Sequence, residues 1–208
     1  MGESVFLLPI GVVLVGWVLA GGSPGPATLT ISGTAMGEGR GAALLVAAGI
    51  VAGSAAWGIA AALGFSAVMM ANVWLFELLR YAGAAYLLYL AVKSLRAAWH
   101  GQAVKPVKPA KGAWFTKGLL LHLTNPKAIL SWGSIYAIVL APNAGMGAVW
   151  QLFGMLICAS MLVFFGYALL FSLAPIARAY AKSRRWFDLA FGLLFGAASL
   201  KILTVKVT

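Results

Sequence analysis

Two prolines interrupt the first long apolar segment of the chain, which covers residues 5–36. Residues 21–26 read Gly-Gly-Ser-Pro-Gly-Pro. Pro24 and Pro26 have no N–H and cannot complete a helical hydrogen-bond ladder. An unbroken helix over this segment would span roughly 48 Å, whereas the hydrocarbon core of a bilayer is about 30 Å thick. We therefore predict two helical pieces, residues 5–22 and 27–36. The break between them is tolerated at membrane depth only where protein or a watery cavity satisfies its backbone, so it is a candidate functional site.

A second interruption lies in the apolar segment at residues 117–141. Residues 121–128 read Leu-His-Leu-Thr-Asn-Pro-Lys-Ala, which places Pro126 and Lys127 inside the apolar run. A charge at mid-bilayer costs at least about 2.5–3.5 kcal/mol on insertion scales. Lys127 is therefore expected to face the protein interior, where it is paired or binds a ligand. The alternative is a lysine whose ammonium reaches the membrane surface.

Composition assigns nearly the whole chain to a bilayer. Of its 208 residues, 62% are hydrophobic and 9% are charged, against about 45–50% and about 25% in soluble domains. The apolar runs are long and continuous, which favours helices over barrel strands. The net charge of +11 follows from Lys and Arg clustered in short loops, as in membrane proteins, so no nucleic-acid partner is expected.

Six membrane-spanning helices can be drawn, at residues 5–36, 42–64, 73–98, 117–141, 148–173 and 185–203. Most of the 15 basic residues fall after spans one, three and five, which the positive-inside rule assigns to the cytoplasm, so both termini are predicted outside. We predict an all-α polytopic membrane protein of one domain, residues 1–208. It consists of two inverted three-helix halves, residues 1–98 and 117–208, joined by a cytoplasmic loop, residues 99–116. The first helix of each half is broken, and matching breaks of this kind point to the midplane site of a transporter.

Several motifs together resemble the LysE/RhtB family of amino-acid exporters. They are Pro-Gly-Pro at 24–26, Gly-x-Gly-Arg-Gly at 37–41, Leu-Arg-Tyr-Ala-Gly-Ala-Ala-Tyr-Leu-Leu at 79–88, the run Gly-Leu-Leu-Leu-His-Leu-Thr-Asn-Pro-Lys-Ala at 118–128, and Phe-Asp-x-x-Phe-Gly-x-x-Phe-Gly at 187–196. The resemblance covers essentially the whole chain. His122 departs from it, because a neutral amide or small polar residue is expected at that position. The resemblance implies export of amino acids or related metabolites from the cytoplasm of a bacterium, across the inner membrane, driven by the proton-motive force.

An amino-acid substrate needs donors for its carboxylate and acceptors for its ammonium. The half-helix that begins near Ala27 offers free N–H groups and a positive dipole end, and the carbonyls of residues 20–22 offer acceptors. Hydroxyls of Ser23, Thr28, Thr30 and Ser32 can add to them. The alternative is a kinked helix that only packs against its neighbours. The predicted substrate-binding residues are Ser23, Pro24, Gly25, Pro26, Thr28, Asn125, Pro126 and Lys127.

The proton-coupling candidates are Glu77 and His122. Glu77 shares a helix face with Arg80, so an ion pair is the alternative for it. The unperturbed pKa of histidine, near 6.5, suits a proton relay, and a packed, hydrogen-bonded histidine is the alternative for His122. No metal or other cofactor is expected. The partners expected are the substrate, membrane lipid and a second copy of the chain in a homodimer, which the small-residue helix faces allow.

Two rival functions remain open at this point. Gly-Gly-Ser-Pro-Gly at 21–25 matches the G-x-S-x-G pattern of serine hydrolases, and His122 is available as a base. Against this, the residue after the serine is Pro24, which has no N–H for an oxyanion hole. A passive channel is the second rival, and it needs a continuous polar pore that these isolated polar residues do not supply. Trp17, Trp57, Trp132 and Tyr136 are interpreted as anchors or packing residues rather than as cavity lining.

Overall fold

The computed structural model describes residues 5–71, 73–100, 113–141 and 144–204. In these ranges the chain is helical, and strand pairing is limited to one isolated bridge between Phe6 and Leu140. The helices are α1 (Ile10–Gly22), α2 (Pro26–Glu38), α3 (Arg40–Ala71), α4 (Val73–His100), α5 (Trp114–Leu123), α6 (Pro126–Val139), α7 (Met146–Leu170) and α8 (Ala174–Thr204).

Both predicted helix breaks are confirmed, and the first is narrower than predicted. α1 ends at Gly22 and α2 begins at Pro26, with an angle of 59° between the two helices. α5 and α6 are separated by two residues, Thr124 and Asn125. Pro26 and Pro126 each occupy the first position of a helix. The missing N–H does no harm there, because the first N–H groups of a helix have no helical partner.

The apolar helices support a multi-pass membrane protein. α3, over Arg40–Gly64, and α7 are each long and apolar enough to cross a bilayer, and α1 with α2 qualifies as one bent span. α6 is apolar over Lys127–Val139 but too short to cross alone. The count of six spans, their inverted arrangement and the outer position of the termini stay predictions.

Several predicted helix boundaries were wrong because hydropathy changes at a charge, whereas a helix ends at a backbone break. α8 begins at Ala174, so the basic residues at 178–185, predicted in a loop, lie in a helix whose first turn accommodates Pro175. Residues 66–71, also predicted as a loop, continue α3. α4 continues to His100, and residues 101–112 of the predicted cytoplasmic loop lie outside the described residues.

Residues 5–8 were predicted to be helical, but they do not form a helix. Their backbone pairs with the end of α6 instead: Leu7 N–H donates to Val139 O at 2.7 Å, and Ala141 N–H donates to Val5 O at 3.0 Å. This bridge joins the start of the first broken span to the end of the second.

Helix α3 supports both halves of the second broken span. A β-carbon on Gly49 would lie 2.0 Å from Phe115 O, and one on Gly118 would lie 2.1 Å from Val46 O. The backbones of α3 and α5 are therefore in direct contact, as small residues allow in lipid. Further along α3, Tyr136 of α6 donates its hydroxyl to Gly58 O at 3.0 Å. Backbone contact thus fixes α5 on α3, and side-chain contacts fix α6.

We expect Gly118→Ala to separate α3 from α5, because the new methyl group has no space against Val46 O. The cost of such overpacking is about 1–3 kcal/mol, which should lower the melting temperature of the detergent-solubilised protein. Gly133→Ala is the matched control, since a β-carbon there meets nothing within 4 Å. Equal melting temperatures for the two variants would contradict the backbone contact.

Candidate functional site

The two helix breaks meet at one cavity of about 50 Å³. One buried water needs about 10–15 Å³ on this scale, so the cavity has room for roughly four. Its lining comes from both breaks and from the intact helices α3 and α7. The lining residues are Trp17, Ala20, Gly21, Ser23, Gly25, Pro26, Ala27, Thr28, Ser54, His122, Asn125, Lys127, Ala128, Ser131, Trp132, Ser160 and Phe164.

The first break satisfies part of its own backbone. Ser23 closes the end of α1, because its N–H and its hydroxyl both donate to Ala20 O. Gly25 N–H donates to Thr28 Oγ1 at 3.0 Å, and the Tyr167 hydroxyl of α7 donates to Gly22 O at 2.5 Å.

Other backbone groups of this break stay open. Among the described contacts, the N–H groups of Ala27 and Thr28 and the carbonyl of Gly21 have no hydrogen-bond partner. All three residues line the cavity. The first break therefore offers both donors and an acceptor to a ligand.

The second break is closed on itself. Asn125 caps α6 through its side chain, whose Oδ1 accepts from Lys127 N–H at 3.1 Å. Its carbonyl accepts from the N–H groups of Ala128 and Ile129. The hydroxyl of Thr124 donates to Leu120 O at 2.9 Å, beside the bond from its own N–H to the same oxygen, and to Leu121 O at 3.4 Å. This break thus holds its shape without a ligand.

Lys127 connects the two breaks. It is half-buried, and its ammonium donates to Ser23 Oγ and, at 3.4 Å, to Ser23 O. The ammonium also lies near Gly25, where a β-carbon would be 3.7 Å from it. No Asp or Glu is among the described residues that line the cavity. The prediction that Lys127 faces the interior is confirmed, and its contacts there are uncharged oxygens.

His122 is 5% exposed and lines the same cavity. Its ring packs edge-on against Phe164, with 5.6 Å between the ring centres. Among the described residues, no group forms a hydrogen bond with its Nδ1. Glu77, the other predicted proton carrier, lies in α4, and its side chain is outside the described part of the structure.

The sequence interpretation gave little weight to two cavity residues, Trp17 of α1 and Trp132 of α6, which we call the indole wall, and it did not name the lining residues Ser54, Ser131, Ser160 and Phe164. The two indole rings meet edge to face, with 4.7 Å between centres. Helical spacing could have found the two tryptophans. Trp17 shares a face with Ala20 and Gly21, and Trp132 shares one with Ala128 at i+4. This spacing was not used, because the tryptophans were interpreted as membrane anchors or packing residues.

Several other residues named in the sequence analysis do not line the cavity. Thr30 and Ser32 are buried in α2 and are not part of the lining, and Pro24 does not belong to it. The side chain of Pro126 is outside the described part of the structure. Both prolines act through the backbone, by ending or starting a helix. Trp57 and Tyr136 are packing residues as predicted, and Trp57 donates to Leu123 O at 3.2 Å.

The chain is similar to known proteins over most of its length. A family model described as LysE type translocator matches residues 19–205. The chain belongs to the LysE type translocator family. Threonine efflux proteins of Escherichia coli K12 and Salmonella typhimurium are 32% and 31% identical to it over 186 residues, 87% of this chain and 90% of each relative. The uncharacterized membrane protein YahN of Escherichia coli K12 is 28% identical over 191 residues, 89% of this chain and 85% of the relative. No solved structure matches.

Membership in the translocator family makes the protein a transporter of the amino-acid export type and not an enzyme. Among the described residues, Ser23 does not form the pair with His122 that the protease interpretation used. The Ser23 hydroxyl donates to Ala20 O, and Lys127 rather than His122 is its observed side-chain partner among the described residues.

Removing the Asn125 cap should destabilise this translocator. In Asn125→Ala the Lys127 N–H loses its acceptor, which for a helix cap costs about 0.5–2 kcal/mol. Asn125→Ser is the control, because serine caps helices about as well. We expect the melting temperature to fall in the alanine variant and to stay near that of the unchanged protein in the serine variant. A fall of the same size in both would contradict a capping role.

Proposed function

We propose that the protein exports small neutral amino acids, with threonine as the representative substrate, and binds them in the cavity between the two helix breaks. The observation that carries the proposal is Lys127, whose ammonium crosses from one break to the other in a cavity with no acidic lining among the described residues. A buried cation in that setting favours a ligand that brings its own anion. The names of the threonine efflux relatives support an amino acid.

The open groups of the first break match the two charges of an amino acid. The N–H groups of Ala27 and Thr28 lie at the positive end of α2, where a carboxylate is stabilised. The ammonium of Lys127 adds a charge-assisted donor for the same carboxylate. The Gly21 carbonyl, which has no partner among the described contacts, suits the substrate ammonium. Ser23, Gly25, Pro26 and Asn125 hold this geometry.

We further infer six spans with both termini outside, in a bacterial inner membrane, with the cavity near the bilayer midplane. This topology follows from the basic residues after spans one, three and five. Homodimer formation and lipid contacts belong to the same proposal. A proton carried inward in exchange for substrate would drive export. His122 is the first candidate for that step because it lies in the cavity with an unpartnered Nδ1, and Glu77 is the second.

Lys127→Ala should lower threonine export, measured as uptake into everted vesicles, by roughly 10–100-fold, because hydrogen bonds to a charged group are worth about 1.5–3 kcal/mol. Lys117→Ala is the matched control. Lys117 is also a half-buried lysine of the second broken span, but it lies over the Trp114 ring and not in the cavity. Normal efflux by the Lys127 variant, at equal membrane content, would refute the site.

His122→Gln should separate proton coupling from binding. We expect the variant to exchange labelled threonine across a liposome membrane and to lose its response to an imposed proton gradient, since glutamine carries no exchangeable charge. Glu77→Gln is measured beside it. Loss of the response only in the Glu77 variant would assign the proton to Glu77. Accumulation against a gradient by the unchanged protein distinguishes this carrier from a passive channel.

A further inference from the structure

We propose that the indole wall, Trp17 and Trp132, sets the upper size limit for the side chain of the exported amino acid. This inference deepens the proposed function and rests on it. The cavity has room for roughly four waters, and the ammonium, carboxylate and α-carbon of an amino acid alone comprise five non-hydrogen atoms, so the space that remains for a side chain is limited. A long side chain fits only where a wall residue gives way.

The wall lies beyond the breaks, where a bound side chain would point. Trp17 precedes Ser23 by six residues along α1, and Trp132 follows Lys127 by five along α6. At about 1.5 Å per residue, the α-carbons of the two tryptophans lie about 7–9 Å along their helices from those of Ser23 and Lys127. A substrate held at the breaks by its ammonium and carboxylate therefore meets the indoles with its side chain.

Trp132 is fixed from several directions. It is 1% exposed, and its Nε1 donates to Ser54 Oγ at 2.9 Å. The ring of Phe153 lies 5.8 Å from its ring, centre to centre. A β-carbon on Gly58 would come within 2.9 Å of the Trp132 ring, so this glycine makes room for the indole. Trp132 therefore forms the rigid half of the wall.

Trp17 is fixed by a single serine. Its Nε1 donates to Ser160 Oγ at 2.9 Å, and that hydroxyl donates to Leu156 O at 2.9 Å. The Ser160 hydroxyl has therefore already used its only hydrogen within the protein. Although it lines the cavity, its role there is to orient the indole. Trp17 is half-buried, which makes it the wall residue that can be changed without opening the core.

The test measures selectivity rather than rate. Purified protein in liposomes exchanges labelled threonine, and unlabelled glycine, serine, valine, leucine and phenylalanine compete. In Trp17→Ala we expect leucine and phenylalanine to compete at least about tenfold better than with the unchanged protein, because one or more methylene groups now fit. Competition by glycine and serine should stay within about threefold, since their side chains do not reach the wall.

Trp57→Ala is the matched control. Trp57 is also a partly buried tryptophan of the same apolar cluster, and it does not line the cavity. Its selectivity series should equal that of the unchanged protein. A tenfold gain for leucine in this control would show general loosening and would overturn the wall, as would an unchanged series in Trp17→Ala.

Ser160→Ala keeps both indoles, and it is the alternative test of the indole wall if Trp17→Ala does not fold. Removing the acceptor frees the Trp17 ring, so leucine should gain about threefold over threonine. No gain would overturn the orienting role of Ser160 and, with an unfolded Trp17→Ala, the inference itself. Absence of threonine exchange by the unchanged protein would overturn the proposed function instead, and this inference with it.

Discussion

The structure depends on one constraint: a backbone inside a bilayer has no water to complete its hydrogen bonds. Each break must therefore be satisfied by the protein or left for a ligand. At the second break, the side chains of Asn125 and Trp57 supply missing partners, for Lys127 N–H and Leu123 O. At the first break, Ser23 and Tyr167 supply only some of them. This difference is the reason why the proposed function assigns the ligand to the first break and treats the second break as the support of Lys127.

The intact helices decide that the two breaks meet. α3 lies in backbone contact with α5 at Gly49 and Gly118, and it holds α6 through Ser54, which accepts a hydrogen bond from Trp132. α7 reaches the first break through Tyr167 and lines the cavity with other residues. The broken helices contribute the polar groups of the cavity, and the unbroken helices fix the distance between the two breaks. Small residues on α3 are what allow this close approach.

The sequence was sufficient for the helical class and both breaks, because proline and glycine act locally on the backbone. It also predicted that Lys127 faces the protein interior, since exposing a charge to lipid costs free energy. It did not predict the end of α3 or the start of α8, because a charged or polar residue lowers hydropathy without ending a helix. The indole wall was given little weight for a different reason. A tryptophan that anchors and one that lines a cavity look alike until the neighbouring helix is placed.

The charge on Lys127 and the size of the cavity act on the same ligand. An isolated ammonium at this depth costs at least about 2.5–3.5 kcal/mol on insertion scales, and the neutral oxygens of Ser23 offset only part of that. In the proposed function, a carboxylate offsets more, and this attraction is the same for every amino acid. Recognition at the breaks alone would then be unselective. We therefore assign selectivity to the other end of the cavity, where Trp17 and Trp132 limit the space for a side chain.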